Sequence, residues 1–112
     1  MENVECPIIN DCFEYDGKNY DCGYAIERDI KMILQEAETS HGDSFDKTYD
    51  RQSLKADKVR IFLDKENKPV FGMVIYLIDY KDESWQRYAC GGYYLFFENA
   101  LVPHPFQESI CW

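Results

Sequence analysis

The chain has 112 residues, of which 46% are hydrophobic and 29% charged, a size and balance that suit one folded domain, residues 1–112, and exclude a fibrous or disordered class. Its formal net charge is −9, and its longest charge-free apolar runs, residues 70–78 and 89–97, fall far short of the roughly 20 residues that span a bilayer as a helix. The opening Met1-Glu2-Asn3-Val4-Glu5 is acidic and lacks an apolar leader, so a cytoplasmic location without membrane attachment is expected.

The first strong signal lies in residues 11–22, where Asp16-Gly17 joins two alternating runs and predicts a hairpin with a type I′ turn. Pairing Tyr15 with Lys18 puts Phe13, Tyr15, Tyr20 and Cys22 on one apolar face, and Cys12, Glu14, Asn19 and Asp21 on an acidic one. That register separates Cys12 from Cys22, so both are expected to be free. From Gly23 to Thr39, Ile26, Ile30, Ile33, Leu34 and Ala37 recur at helical spacing and predict one main helix, capped by Asp21 and stopped at Gly42. Its polar face carries Glu27, Arg28, Asp29, Lys31, Gln35, Glu36 and Glu38. Residues 43–57 follow neither period and read as a long connection, a candidate contact surface with a short helix around 51–56 as an option.

Val59, Ile61 and Leu63 alternate with Arg60, Phe62 and Asp64 and predict a strand with one core face. The run from Val70 to Tyr80 is apolar on both faces, as a central strand is. A third strand is predicted over 85–101, interrupted by Gly91-Gly92 where a bulge should bend the sheet. The prolines in Leu101-Val102-Pro103-His104-Pro105-Phe106 lack a ladder donor and predict an extended surface segment, tied back by Phe106, Ile110 and Trp112.

Charge is distributed unevenly. Residues 1–29 hold Glu2, Glu5, Asp11, Glu14, Asp16, Asp21, Glu27 and Asp29 against only Lys18 and Arg28, whereas residues 58–80 are nearly neutral. Without a basic stripe to neutralise phosphates, the chain is not expected to bind nucleic acid directly, and a basic protein is the natural inverse partner. Excess negative charge also serves solubility alone. The cysteines, Cys6, Cys12, Cys22, Cys90 and Cys111, are odd in number and read as reduced thiols. No pair has the spacing of a zinc knuckle, so Cys6, Cys12, Cys22 and His41 imply no metal, and no cofactor motif is present. His41 and His104 lie in no catalytic motif, and Cys22 and His41 sit on the order of 25 Å apart at opposite helix ends, so no enzyme is expected. Of the nine tyrosines, Tyr15, Tyr49, Tyr80 and Tyr88 are expected to be exposed for contact, and Tyr76, Tyr93 and Tyr94 to fill the space between helix and sheet.

These elements make an α+β domain, with one main α-helix packed on a curved antiparallel sheet built from an N-terminal hairpin and a three-stranded meander. In outline the arrangement is similar to a cystatin or a reduced NTF2-like domain, but the chain lacks the glutamine-valine-glycine motif of cystatins and any catalytic dyad, so function does not follow from the likeness. The expected function is a small acidic protein-binding module, an inhibitor of the immunity or phage counter-defence type, docking on a nuclease or other nucleic-acid-binding enzyme. Its expected contact residues are Glu14, Tyr15, Asp16, Asp21, Glu27, Asp29 and Tyr49. The alternative is a small-ligand or enzymatic domain with a pocket between helix and sheet, near Gln86 and Arg87; a subunit of a larger assembly would instead show a large exposed apolar patch.

Overall fold

The structure is a computed structural model that describes residues 2–82 and 86–104. The expected strand start at Trp85, the tail contacts of Phe106, Ile110 and Trp112, and the Cys111 thiol lie outside those residues.

The Asp16-Gly17 turn forms as its chemistry dictates: both residues have positive φ, 52° and 76°, as a type I′ turn requires. It joins β2 (Cys12–Tyr15) to β3 (Lys18–Asp21) in the expected register, with Tyr15 opposite Lys18 and Phe13 opposite Tyr20. Phe13 and Tyr20 are buried and their rings stack at 5.2 Å. The long helix α1 follows at once (Gly23–His41), its Gly23 N–H donating to the Asp21 carboxylate at 2.7 Å. At its other end Gly42, at φ 57°, takes the left-handed conformation that glycine tolerates and turns its N–H to the Glu38 carbonyl.

The sheet is larger than expected. The N-terminal segment Glu2–Pro7 forms an edge strand, β1, which pairs antiparallel with β4 (Tyr49–Leu63). Only Cys6 of β1 is buried, so no hydrophobic alternation announces it. The predicted connection over 43–57 is instead a 3-10 turn (Gly42–Ser44), a one-turn helix α2 (Phe45–Thr48) and the first half of β4. Its pattern is hidden by bulges: register shifts between Asp50 and Lys55 and between Ala56 and Lys58 move the buried residues from Tyr49 to Leu54 to Val59, odd steps that break a period of two. Beyond the second shift Val59, Ile61 and Leu63 alternate inward as expected.

Strand β5 (Pro69–Tyr80) is central, buried continuously from Gly72 to Ile78 between β4 and β6 (Gln86–Phe97). Gly91-Gly92 does form a bulge, since Met73 faces Tyr93 while Ile75 faces Cys90. The predicted strand to Leu101 reverses at Glu98-Asn99, where Glu98 has φ 52°, and returns as β7 (Ala100–Pro103), pairing Leu101 with Phe96. Pro103 thus ends the β6–β7 ladder, opposite Tyr94, rather than lying in a free surface segment.

The strand order is β1-β4-β5-β6-β7-β3-β2, antiparallel except where Asp21 of β3 bridges Ala100 of β7. The two outer strands are consecutive in the chain, joined by a two-residue turn at Asn10-Asp11 with reciprocal Ile9–Cys12 hydrogen bonds of 2.8 and 3.1 Å. That turn brings the sheet almost to a barrel, and α1 packs on its concave side through Ala25, Asp29, Ile33 and Ala37 against a core including Val74, Tyr76, Ile78 and Tyr94. The expected α+β class holds in this form.

Candidate functional site

The register of β2 and β3 puts Cys12, Glu14, Asn19 and Asp21 on the hairpin face away from the core. Glu14 and Asp21 are diagonal neighbours there, a relation that places side chains about 7–8 Å apart. Asp16 sits at the hairpin tip, Asp11 in the preceding turn, and Glu27 one helical turn beyond Gly23; all are exposed. Among the described residues, the ion pairs given by the structure involve none of Asp11, Glu14, Asp16, Asp21 or Glu27.

Some carboxylates elsewhere are neutralised internally. Glu5 accepts from Lys58 at 3.1 Å and Arg60 at 3.0 Å, and those two cations hold its carboxyl below the usual range. This trio borders a groove on the convex sheet face floored by Ile75 and flanked by Tyr88 and Cys90. Arg51 clamps Asp46 at 3.1 Å and Glu38 at 2.8 Å, and its hydrogen bond holds the Asp46 carboxyl low. Glu36, Asp43, Asp50, Asp82 and Glu98 are also exposed and outside these ion pairs; the hairpin and helix start differ in carrying five such carboxylates, Asp11, Glu14, Asp16, Asp21 and Glu27, against only Lys18 and Arg28.

Asp29 does not belong to that surface. It is 1% exposed, at the centre of the helix face turned to the sheet, and accepts hydrogen bonds from the Tyr76 hydroxyl at 2.7 Å and from the Tyr94 hydroxyl. The backbone N–H of Gly92 adds a third donor. Burial pushes the carboxyl above its ordinary value, and the three donors pull it back. The glycine bulge is what admits it: a Cβ on Gly91 would overlap the Asp29 carboxylate and stand 3.0 Å from Tyr76 Cε2. With Asp29 in the middle of the buried stripe, the stripe is rotated from the one its isoleucines suggest. Ile26, Ile30 and Leu34 lie half-buried along its flank.

Tyr49, expected at the contact surface, is likewise buried. It is 4% exposed, packed on Tyr80, Phe45 and His41 at 4.9, 5.4 and 6.0 Å, and its hydroxyl accepts from Arg87 at 2.8 Å. A tyrosine at the first position of a bulged strand is drawn inward because its ring completes an aromatic cluster while its hydroxyl keeps a charged donor. Tyr15 is half-buried against Phe96, with ring centroids 6.2 Å apart, and Tyr80 is half-buried too; Tyr88 alone of the four is exposed. Tyr76 and Tyr94 are fully buried, as expected, whereas Tyr93, next to Tyr94 in the strand, faces the other side of the sheet and is half-buried against Phe71, ring centroids 5.0 Å apart. Cys6, Cys12 and Cys22 are free thiols.

Beside the acidic face, a groove of about 280 Å³ opens between the helix flank, the Asn10-Asp11 turn and the bulged part of β4. Its apolar walls are Ile8, Ile26, Ile30, Leu54 and Ala56. The only advance signal for it was the Asn-Asp pair between apolar residues, since both residue types tolerate the left-handed turn conformation. No family model, curated protein or solved structure matches the chain. No helix among the described residues is long and apolar enough to cross a membrane.

Proposed function

We propose that this chain is an acidic protein-binding module that docks on a basic, nucleic-acid-handling partner protein through its β2–β3 hairpin and the start of α1. One observation carries the reading: on the adjoining turn, hairpin and helix start, Asp11, Glu14, Asp16, Asp21 and Glu27 are exposed and outside the ion pairs given among the described residues, against only Lys18 and Arg28 as cations. Such a face meets arginines and lysines that ordinarily hold phosphates, and a carboxylate offers arginine the same forked geometry. Occupying those cations blocks the partner's nucleic-acid site, which makes the module an inhibitor of the immunity or counter-defence kind, acting in the cytoplasm where its thiols stay reduced. Exposed pairs contribute little each, about 0.2–1 kcal/mol, so the larger effect is on encounter rate and on discrimination between partners. The contact set is Asp11, Glu14, Asp16, Asp21 and Glu27, with Tyr15 as a partly exposed anchor.

The alternative, a ligand or catalytic pocket between helix and sheet, has against it that Asp29, Tyr76, Tyr94 and Ile33 meet there with their side chains buried. The cystatin-like or NTF2-like outline adds nothing to either reading.

Binding of the purified chain to a panel of basic nucleases and nucleic-acid-binding proteins, measured at low ionic strength, tests the proposal. Association with some members, weakening as salt rises and lost with Glu14→Lys and Asp16→Lys together, is expected. Absence of binding to every member would remove it.

A further inference from the structure

We infer that the groove beside the acidic face is an arginine subsite, taking one long cationic side chain of the partner with its aliphatic stem on the isoleucines and its guanidinium on Asp11. The inference rests on the docking proposal above and specifies how one contact is made. Residues Ile26 and Ile30 have the helical spacing of core positions, yet Asp29 holds the middle of the buried stripe and leaves them half-buried on its edge. Together with Ile8 and Ala56 they make an apolar wall open to solvent, which a methylene stem can cover but a compact, strongly hydrated group cannot.

The polar end is held in place from both sides. Asn10 and Asp11 adopt consecutive left-handed conformations, φ 52° and 61°, locked by the Ile9–Cys12 hydrogen bonds. The Asp11 carbonyl in addition accepts the Cys22 N–H at 2.7 Å, tying the turn to the helix start. The Asp11 carboxylate is thus carried on a fixed backbone, with Asn10 beside it in the groove lining. Lys55 is the one cation among the described lining residues, and its repulsion directs a guanidinium toward Asp11. Arginine matches better than lysine because its planar fork can engage the carboxylate and a neighbouring acceptor together, and because it sheds its hydration more readily.

The test uses fluorescence anisotropy of a labelled oligo-arginine peptide, and the methyl NMR spectrum of the native protein, at low ionic strength. The peptide is expected to bind, to shift the Ile26 and Ile30 methyl signals, and to bind about eightfold more weakly to Ile30→Ser, as loss of part of the apolar stem contact implies, with unchanged salt dependence. Asp11→Asn is expected to weaken binding and to flatten its salt dependence. If the peptide binds but leaves those methyl signals unmoved, and Asp11→Asn binds like the native chain, the groove assignment is wrong while acidic docking stands. If the peptide does not bind the native chain at all, the docking proposal and the arginine subsite fall together. The methyl measurement keeps the test valid should Ile30→Ser fold poorly.

Discussion

Replacing Tyr76 by phenylalanine removes one oxygen from the buried polar centre and nothing else. That hydroxyl donates at 2.7 Å to a carboxylate only 1% exposed, whose other donors are Tyr94 and the Gly92 N–H. A hydrogen bond to a buried charged group contributes about 1.5–3 kcal/mol, so Tyr76→Phe should destabilise the fold by that amount, a fall in melting temperature of roughly 6–12 °C for a domain of this size. The cost should also depend on pH. Burial raises the Asp29 carboxyl above its ordinary value, so the native state holds that proton more tightly than the unfolded chain does. This group's contribution to stability therefore falls as pH rises from the ordinary carboxylate range through the raised value, and is level above it. The Tyr76 hydroxyl favours the ionised form, so its loss costs most above the raised value and less once acid has protonated Asp29. Glu5 and Asp46, held low by their cations, act in the opposite sense: their stabilisation is present above the ordinary carboxylate range and lost as pH falls through their lowered values. They are common to both proteins and cancel in the difference. Urea unfolding followed by circular dichroism, run across the acid range, measures the effect. A cost below about 0.5 kcal/mol, or one that does not shrink on acidification, would refute the reasoning.

Gly91→Ala places a methyl group onto the Asp29 carboxylate and against Tyr76, and should cost about 1–3 kcal/mol by urea unfolding. Combined with Asp29→Ala it should cost less than the two changes added, because the closer of the two clash partners is gone and only the Tyr76 contact remains; full additivity would show that the bulge does not serve the carboxylate. Cys22 is fully buried, and burial pushes its thiol up to about 12, so iodoacetamide labelling of the native protein, read by mass spectrometry, should modify the half-buried Cys12 and Cys90 well before it. Comparable labelling of Cys22 would contradict its placement.

Local rules were legible where one residue type decides the backbone. Asp16-Gly17 specified the hairpin and its register, Gly42 the helix end, and Gly91-Gly92 the bulge. They were silent where tertiary context decides. Strand β1 has one buried residue because it is an edge, and β4 carries two register shifts that scramble its alternation. The β6–β7 reversal relies on Glu98 in a left-handed conformation rather than on glycine. The proposed contact surface was legible as charge but not as geometry. A hydrophobic-face count assigns Asp29 to solvent and Ile26 to the core, and only two tyrosine hydroxyls reaching from β5 and β6 reverse them. Asp11 was counted as charge without being singled out, since its proposed role follows from a turn that exists only once β1 and β2 are placed at opposite ends of the sheet.

The most direct measurement of acidic docking is the association rate with a basic nuclease that the chain binds, recorded across ionic strength for the native protein and for the combined variant Glu14→Gln, Asp16→Asn, Glu27→Gln. Steered encounter predicts an on-rate roughly tenfold lower for the variant at low salt, with a shallower salt dependence and a circular dichroism spectrum unchanged from native. Equal on-rates and equal salt slopes for the two proteins would contradict it.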